Sequence, residues 1–257
     1  MTYNVHGCVG MDGRLSLERI VEVIERINPD VVALQELDAG RKRSGMVDQA
    51  REIARLLRME AHFHPAMRFA EEEYGDAILS RHPLRLIKAG PLPSVKRQFL
   101  KETRGALWIS VAVGEFEVQV INTHLGLGRT ERRAQAQALL GDEWIGAALE
   151  SGPLVVCGDF NSPSGRVVHG MLSGRLRDAQ KIAGGKPVST FATTFPFLRI
   201  DHVFVSPEFD ISKVEVPRTP LTRIASDHFP LVVEMAFKES TVHSSDNGNY
   251  AAAHCNS

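Results

Sequence analysis

The stretch VVCGDFNSPSG, from Val155 to Gly165, begins as an apolar run and ends in turn-forming residues. It carries an acid and an amide two positions apart, Asp159 and Asn161. Residues i and i+2 of an extended chain point to the same side, so these two side chains would face one way and Phe160 the other, into the core. Gly, Asp, Asn and Pro also favour turns, so a simple turn is the alternative. The rest of the chain has to decide between a turn and an active site.

Composition limits the class of protein. The chain has 257 residues, which fits one large domain or two small ones. Its hydrophobic content of 43% and charged content of 24% are typical of a soluble globular protein. Proteins that hold nucleic acid by its phosphates usually carry a basic excess, whereas this chain has 30 basic and 31 acidic residues. The charge balance therefore gives no support to nucleic-acid binding, although it allows a local basic patch.

The cysteines indicate a reducing environment. Cys8, Cys157 and Cys255 form no CxxC pair and no even-numbered framework. We therefore expect no structural disulfide and a cytoplasmic location. No stretch approaches the ~18 continuous apolar residues of a membrane span, and no signal peptide is visible. The chain opens inside a strand-like segment, TYNVHG, so we expect a truncated first strand, and an upstream targeting segment would change the expected location.

Apolar periodicity predicts alternating strands and helices. Helical patterns occur in LERIVEVIERI after the N-cap Ser16, in VDQAREIARLLR, and in TERRAQAQALLGDEWIGAALE, which starts near Thr130. Strands are predicted in VVALQE, GDAILSR, GALWISVAV, FEVQVINTH, PLVVCGD, RIDHVFVS and PLVVEMAF. A hairpin at Gly114-Glu115 would join the third and fourth of these strands. Strands joined by both hairpins and helices predict mixed sheets covered by helices, in one domain over residues 1–237, followed by a disordered polar tail at 238–257.

Several predicted strands end in residue types that metal–phosphate chemistry uses. These are Asn4, His6, Glu36, His124, Asp159, Asn161, Asp227 and His228. Loops at strand ends are where α/β folds build their sites. Each residue alone has an ordinary alternative, such as a solvated acid, a surface histidine or a cap. Five strand-edge segments would each need an unrelated explanation, so their joint occurrence favours one site.

The segments TYNVHG, LQE, GDAILSRHPL, TRGAL, INTHL, GDFN, RIDHVF and SDHFPL resemble, in order, the motifs of the endonuclease/exonuclease/phosphatase superfamily. The resemblance spans residues 1–236. It implies an α/β fold of the DNase I-like type, a four-layer αββα sandwich with two mixed β-sheets and helices outside. Members of the family cleave phosphoester bonds with a divalent cation, usually Mg²⁺, and their substrates include DNA, RNA, inositol phosphates and lipids.

The resemblance also implies a metal site. Glu36 is similar to the principal metal ligand of the family, and Asn4 beside it would bind the metal or a phosphate oxygen. Asp227 would lie near the metal, as a ligand or through water. The expected cofactor is Mg²⁺, with Mn²⁺ as a substitute, because Mg²⁺ prefers a few carboxylate or amide oxygens and keeps several waters. No His/Cys cluster with zinc spacing is visible in the sequence.

The catalytic residues follow from the same resemblance. Asp159 resembles the residue that orients or deprotonates the attacking water, and Asn161 would steady the scissile phosphate. His124 and His228 resemble the pair that brackets the phosphate. Asp201 would hydrogen-bond His228 and raise its pKa, which keeps the ring charged. Phosphoryl transfer needs such groups to neutralise charge on the phosphate oxygens.

The substrate-binding candidates are Arg104, within TRGAL, together with His6 and Asp76. Many relatives have Asn at the position of Asp76. In the DNase-type branch an acid near this point supports the first histidine. We therefore expect Asp76 to pair with His124.

Three functions stay open at this point. The first is a metal-dependent phosphodiesterase for a small or lipid-linked phosphodiester, favoured by the neutral charge, the compact length and the resemblance of ELDAGRKRSGMVDQA to small bacterial metal-dependent hydrolases. The second is a Mg²⁺-dependent endo- or exonuclease acting on DNA or RNA, favoured by the range of the family. The third is a non-catalytic binding module on the same fold, against which the complete set of site residues argues. The expected partner is a phosphoester substrate, with nucleic acid or membrane lipid as possible carriers, and we expect a monomer.

Overall fold

Two β-sheets form the centre of the fold. The computed structural model describes residues 1–94 and 103–238, apart from the side chain of Phe69. Cys255 and the tail predicted to be disordered lie outside these residues, except for Lys238. The strands are β1 (Thr2–Asn4), β2 (Val31–Ala39), β3 (Glu60–Phe69), β4 (Glu72–Ser80), β5 (Leu84–Pro91), β6 (Gly105–Val113), β7 (Phe116–His124), β8 (Leu154–Asp159), β9 (Arg177–Asp178), β10 (Asp201–Val205), β11 (Phe209–Glu215) and β12 (Val232–Phe237). The helices are α1 (Leu17–Ile27), α2 (Gln49–Leu57), α3 (Arg129–Leu140), α4 (Ala147–Ser151), α5 (Val167–Ser173), α6 (Ala179–Ile182) and α7 (Pro220–Ala225).

Both main sheets are mixed, as the sequence predicts. The first has the strand order β1-β2-β4-β3, with β1 and β2 parallel and the other pairs antiparallel. The second has the order β5-β6-β7-β8-β10-β9, in which only β7 and β8 are parallel. The predicted hairpin between β6 and β7 is present, with Val113 opposite Phe116 and Gly114 at φ +61°. Strands β11 and β12 form a separate antiparallel pair.

The apolar side chains form three layers between four layers of structure. Helices α1, α2 and α7 cover the outer face of the first sheet, and α3, α4 and α5 cover the outer face of the second. Ala33 and Ile78 of the first sheet pack against Leu107 and Ile109 of the second, so the two sheets face each other. The predicted αββα sandwich is therefore confirmed. Helix α1 begins at the predicted N-cap, where the Ser16 hydroxyl accepts a hydrogen bond from the Arg19 N–H.

The predicted helix over residues 130–150 is divided. Helix α3 ends at Gly141, which has an extended backbone, and a π-helical turn over Asp142–Gly146 precedes α4. The break turns Trp144 and Ile145 into the core beneath the second sheet, where both are buried. Burial of these two large apolar side chains outweighs the cost of interrupting the helix.

Strands β3, β5 and β11 were not predicted. Strands β3 and β5 lie at sheet edges, and their apolar residues do not alternate cleanly. In β3 a bulge between Pro65 and Met67 interrupts the period of two. Cys8 and Cys157 are buried free thiols. Within the described residues, no helix is long and apolar enough to cross a membrane.

Candidate active site

Strand register alone gathers many of the predicted residues at one edge of the sandwich. His124 is aligned with Asp159 across the parallel pair β7–β8, and Asp159 with Asp201 across the antiparallel pair β8–β10. In the facing sheet, Asn4 ends β1 and is aligned with Gln35, the neighbour of Glu36. Asn4, His124 and Asp159 end their strands and Asp201 begins one. Glu36 was predicted to end its strand, but β2 continues to Ala39.

Glu36 reaches the site through a β-bulge. The register between β2 and β4 shifts between Leu34 and Leu37, and Glu36 has a left-handed backbone with φ +65°. Its side chain is 23% exposed, whereas Leu37 is fully buried. Asp76 lies on the adjoining strand β4 opposite this bulge. The Glu36 backbone favours the ionised form of the Asp76 carboxyl and so lowers its pKa.

Asn4 joins the two sheets across the site. Its Nδ2 donates to Glu36 Oε1 at 2.8 Å and to Asp159 Oδ2 at 3.1 Å. The backbone N–H of His6 donates to Asn4 Oδ1 at 3.1 Å, which sets the orientation of the amide. The His6 ring is exposed, and its Nδ1 lies 3.2 Å from the carbonyl oxygen of Val9. His6 therefore contributes to the site through its backbone.

Asp159 lies between two histidines. Its Oδ2 is 3.5 Å from His124 Nε2 and 3.6 Å from His228 Nε2, and the residue is 1% exposed. Burial raises the pKa of Asp159 to about 7, with a further increase from the Asp201 charge that the His228 charge opposes. A carboxylate with a pKa near neutral is suited to accept a proton during a reaction.

His228 is held as a cation. Its Nδ1 lies 2.9 Å from Asp201 Oδ2, which also accepts a hydrogen bond from the Thr190 hydroxyl. Burial by itself would lower the pKa of His228, but the Asp201 and Asp159 carboxylates raise it to about 10. The hydrogen bond that the sequence predicts between Asp201 and His228 is present, and it fixes both the charge and the direction of the ring.

His124 is neutral, in contrast to His228. Arg104 Nη1 lies 3.0 Å from His124 Nδ1, and since a guanidinium only donates, Nδ1 accepts and the ring proton is on Nε2. Burial lowers the pKa of His124 well below its usual value, and the Arg104 and His228 charges lower it further. Nε2 is also 3.1 Å from Asn161 Nδ2, but the charged guanidinium is the stronger donor. The carboxylates of Asp159 and Glu36 lie near Nε2, at 3.5 and 3.9 Å.

The expected pairing of Asp76 with His124 was wrong. Arg104 occupies the position at His124 Nδ1, and Asp76 instead lies opposite the Glu36 bulge. Burial raises the pKa of Asp76 to about 7, which the nearby Arg104 charge partly opposes. The basic side chain of TRGAL therefore lies between the acid and the histidine.

The side chains of the GDFN stretch point as predicted, but the backbone is extended only as far as Asp159. Phe160 is buried in the core, while Asp159 and Asn161 both face the site. Asn161 has φ +47°, its N–H donates to Asp159 Oδ1 at 2.8 Å, and its Nδ2 donates to the Leu125 carbonyl oxygen at 2.9 Å. At Gly158, which has φ +138°, a Cβ would lie 1.9 Å from a backbone oxygen of β7. The close approach of β7 to β8 therefore requires glycine there.

Asp227 lies beside the Asn4 segment. The Ser226 hydroxyl lies 2.8 Å from the Asn4 carbonyl oxygen and 3.4 Å from Asp227 Oδ1. The Asp227 carbonyl oxygen accepts the backbone N–H of Thr193 at 2.9 Å. The half-buried carboxylate thus stands at the same edge as Asn4.

A buried amide pair beneath the site was not recognised as such in the sequence. Gln35 Nε2 donates to Asn122 Oδ1 at 2.8 Å, and Asn122 Nδ2 donates to the carbonyl oxygens of Leu34 and Ala77, each at 2.9 Å. Asn122 belongs to the second sheet and its partners belong to the first. The pair therefore fixes the distance between the two sheets directly below the metal and phosphate candidates. The signal for this pair in the sequence is that Asn122 stands two positions before His124 in INTH, so both side chains lie on the same side of the strand.

A second buried cluster was also missed. His169 Nε2 lies 2.7 Å from Asp178 Oδ2, and the Arg199 guanidinium donates to Asp178 Oδ1. Three of its side chains, His169, Asp178 and His202, are close enough together to hold a metal ion. The guanidinium already neutralises Asp178 and would repel a further cation, so we regard the cluster as an ion-paired support.

This cluster holds the loop that follows the DFN segment. His202 Nε2 lies 2.8 Å from the Ser162 carbonyl oxygen, and Arg199 Nη1 donates to Ser164 Oγ at 2.6 Å. Burial lowers the pKa of His202 to about 3, and the Arg199 charge lowers it further, so the ring is neutral. The signal in the sequence is that Arg199 and His202 flank Asp201 in RIDH.

Comparisons with known proteins identify the family of the chain. The model of the Endonuclease/Exonuclease/phosphatase family matches residues 1–228. The uncharacterized protein YbhP of Escherichia coli (strain K12) is 27% identical over 248 residues, which cover 91% of this chain and 94% of YbhP.

Solved structures share the fold. An endonuclease/exonuclease/phosphatase from Beutenbergia cavernae superposes with a TM-score of 0.76 at 24% identity, covering 92% of this chain and 70% of that one. The mannosyl-6-phosphatase Bt3783 of Bacteroides thetaiotaomicron superposes with a TM-score of 0.71 at 20% identity, covering 92% and 98%. The family match over most of the chain shows that this protein belongs to the endonuclease/exonuclease/phosphatase family.

Proposed function

We propose that the protein is a divalent-metal-dependent phosphodiesterase that cleaves a P–O bond of a small or lipid-linked phosphodiester. One observation carries the proposal: Asp159 Oδ2 lies within 3.6 Å of both His124 Nε2 and His228 Nε2, and Asn4 joins the same carboxylate to Glu36. Together these side chains would supply a proton acceptor, a neutral donor, a cation and a metal-binding acid around one point. The hydrolytic character of the family supports the reaction class.

The oxygen donors of the site fit Mg²⁺. Glu36 Oε1 accepts from Asn4, and among the described residues no group donates a hydrogen bond to Oε2, which leaves that oxygen for a cation. Asp227 would complete the protein ligands, and Mg²⁺ commonly takes few protein oxygens and several waters. Asn4, expected to bind the metal or a phosphate oxygen, instead directs its Nδ2 to Glu36 and Asp159 and would position these two carboxylates. When bound, the ion would neutralise phosphate charge and lower the pKa of water.

Another triad, Asp159, Asp201 and His228, is also compact enough for a metal. We do not assign the ion there, because the Nδ1 of His228 is already hydrogen-bonded to Asp201 and its ring carries a positive charge. A dication in the same place would compete with that proton. Glu36 has no such cation partner within residues 1–94 and 103–238, so it is the better ligand.

Each of the other residues has a defined task in this proposal. Asp159 accepts a proton from the attacking water and orients it. The His124 Nε2–H and the Asn161 amide donate to phosphate oxygens, where negative charge increases in the transition state. His228, kept protonated by Asp201, supplies positive charge and a proton for the leaving oxygen. Arg104 keeps His124 in the tautomer that donates toward the phosphate.

We choose the substrate class from the formal net charge of the chain. The formal net charge of −1 supports a small or lipid-linked phosphodiester over a long polyanion. A nuclease is the alternative, because the family includes nucleic-acid substrates by name. A phosphomonoester has to be tested as well, since one protein of this fold is a mannosyl-6-phosphatase. A binding module would show none of these activities.

The deciding experiment is a substrate panel with Mg²⁺ or Mn²⁺. It compares plasmid DNA, abasic duplex, RNA, a chromogenic phosphodiester, a phosphomonoester and phospholipids. Asp159→Asn removes the proton acceptor and should abolish turnover, while Asp210→Asn, an exposed acid on β11, serves as the matched control. Turnover of diesters or lipids that Asp159→Asn loses supports the proposal. Cleavage of DNA but not of lipid or small diesters would overturn it, and no turnover on any phosphoester would favour a binding module.

A further inference from the structure

Large apolar side chains are exposed around the mouth of the candidate site. The five most exposed in the described part of the chain are Leu127 (75%), Phe195 (75%), Phe197 (63%), Met46 (57%) and Val167 (55%). We call these five residues the apolar rim. Scattered apolar residues on a surface need no explanation, but a cluster around a site marks a surface that binds something.

The apolar rim follows from the topology. Met46 lies on the loop after β2, and Leu127 lies on the loop after β7. Val167 opens α5, after the loop that leaves β8, and Phe195 and Phe197 lie on the loop that leads into β10. Strands β2, β7, β8 and β10 carry Glu36, His124, Asp159 and Asp201 of the site. The exposed apolar groups therefore lie on loops at the edge of the sandwich that carries the candidate site.

The aromatic part of the rim is held in place by its own backbone. Phe191 and Leu198 form reciprocal backbone hydrogen bonds of 3.0 and 2.8 Å, which close the loop between them. The Phe191 ring packs on the His228 ring with centroids 4.7 Å apart, so the base of the loop is fixed to the site. Phe195 and Phe197 nevertheless point outward, with their rings 6.1 Å apart. The fold thus holds two aromatic side chains in solvent beside the site.

Positive charges accompany the rim. Arg129 and Arg166 are exposed, and each lies one or two positions from an apolar rim residue, Leu127 or Val167. Neither arginine makes an ion pair with an acid in residues 1–94 or 103–238, in contrast to Arg43, which pairs with Asp38. The mouth therefore offers apolar groups and uncompensated cations on the same surface.

We propose that this surface docks on a phospholipid bilayer that contains anionic lipid. Phe195 and Phe197 would enter the boundary between headgroups and acyl chains, and Arg129 and Arg166 would contact lipid phosphates. Docking in this orientation would bring the mouth of the site over the headgroups. The inference deepens the proposed function and rests on it, because docking serves catalysis only if the site hydrolyses a phosphodiester. It names a bilayer surface as the source of that phosphodiester.

Two other occupants fit the rim less well. Single-stranded nucleic acid would stack bases on aromatic rings, but Leu127, Val167 and Met46 are aliphatic and offer no stacking face. The formal net charge of −1 also gives no support to a long polyanion. A second copy of the chain would bring Arg129 and Arg166 close to the same cations of its partner. An anionic bilayer satisfies the apolar groups and the charges together.

The test is flotation with vesicles, carried out in EDTA so that no turnover takes place. Vesicles of phosphatidylcholine with one third phosphatidylglycerol should carry the wild-type chain to the top of the gradient. The double variant Phe195→Ala/Phe197→Ala should bind at least about tenfold more weakly, because two rings no longer leave water. Leu86→Ala is the matched control, since Leu86 is an exposed apolar residue on edge strand β5, and it should bind as the wild type does.

A second variant gives a signal that does not depend on loss of binding. Trp108 and Trp144 are both buried, so Phe195→Trp would add an exposed indole. Its emission should shift to the blue when vesicles are added, and brominated lipid should quench it. An unchanged emission with bound vesicles would overturn the insertion of this loop.

The outcomes separate the two proposals. Failure of the wild type to float, or equal flotation of the double variant, would overturn the bilayer surface. Two further results, each with a wild type that does not float, would also overturn the bilayer surface. If the double variant loses oligo(dT) binding, the rim is assigned to nucleic acid. If it loses a dimer that the wild type forms, the rim is assigned to a second copy of the chain. A chain that floats but hydrolyses no phosphoester contradicts the proposed function alone. A chain that hydrolyses a soluble diester but never floats contradicts the bilayer surface alone.

Discussion

Asp201 Oδ2 and His228 Nδ1 are joined by a hydrogen bond of 2.9 Å between two buried groups. The two residues are far apart in the chain, and the start of β10 and the loop before β12 bring them together. The carboxylate raises the pKa of His228 against the opposing effect of burial. The charge of the site at neutral pH therefore depends on this contact.

Substitution of Asp201 should narrow the pH range of activity. His228 has a pKa of about 10, so we expect wild-type activity to persist into alkaline solution until the ring loses its proton. Asp201→Asn removes one negative charge that raises this pKa, so the ring would deprotonate at lower pH. The alkaline limb of kcat/KM should then move to lower pH, which a pH–rate profile measures. Asp210→Asn should leave the limb in place, and an unchanged limb in Asp201→Asn would contradict a catalytic cation at His228.

Arg104 should control the protonation of His124. In the wild type, burial together with the Arg104 and His228 charges lowers the pKa of His124. Arg104→Gln removes one of those charges, so the pKa of His124 should rise and turnover should fall by roughly tenfold or more. Arg104→Lys keeps the charge and should keep the low pKa. A ¹⁵N NMR titration of the histidine ring nitrogens reads both the tautomer and the pKa, and identical titrations in all three proteins would contradict this role.

Asp76 should make the metal-free protein less stable as the pH rises. Its pKa is about 7 in the folded protein, against an ordinary value of 3.8, so the folded state holds the proton more tightly. The neutral carboxyl stabilises the folded state fully below the ordinary pKa of the group. This stabilisation is lost as the pH rises through the pKa that Asp76 has in the folded protein. Between about pH 5 and about pH 8, the free energy of unfolding should fall less in Asp76→Asn than in the wild type. Urea unfolding in EDTA measures this difference, and parallel slopes would show that Asp76 is not the titrating group.

Gly158 should tolerate no side chain. A Cβ at this position would lie 1.9 Å from the Thr123 carbonyl oxygen, on a backbone with φ +138°. Gly158→Ala should therefore lower the free energy of unfolding by about 3 kcal/mol or more, since the clash is with backbone. Gly165→Ala is the matched control, because Gly165 also has a positive φ, of +78°, but no atom within 4 Å of its Cβ. It should cost only about 1 kcal/mol in urea denaturation, and equal losses in the two variants would contradict the clash.

The strands and the edge they share were predictable from local patterns. The apolar run before Asp159 depends only on neighbouring residues, and the structure has it as strand β8. Asn161 faces the site as predicted, but from a left-handed backbone and not from an extended one. The long helix at residues 130–150 was not predictable in detail, because Gly141 and the burial of Trp144 act against a continuous helical period. Edge strands such as β3 also escaped, since half-exposed strands lack a strong apolar pattern.

The contacts between distant segments were beyond the reach of the sequence. The left-handed backbone of Glu36 arises from a bulge against β4, and nothing within LQE predicts it. The position of Arg104 on His124, where Asp76 was expected, depends on how β4, β6 and β7 pack.

By itself the sequence determined which residue types stand at the strand ends, and hence the fold class, the family and the chemistry of the candidate site. Apolar periodicity and turn residues are local, so a single chain displays them directly. The cationic His228 was expected from Asp201, but only the tertiary structure decided that His124 is neutral and that Asp159 has a pKa near 7. A pKa depends on burial and on charges a few ångströms away, and those neighbours, such as Asn4 and Asp159, are far apart in the chain.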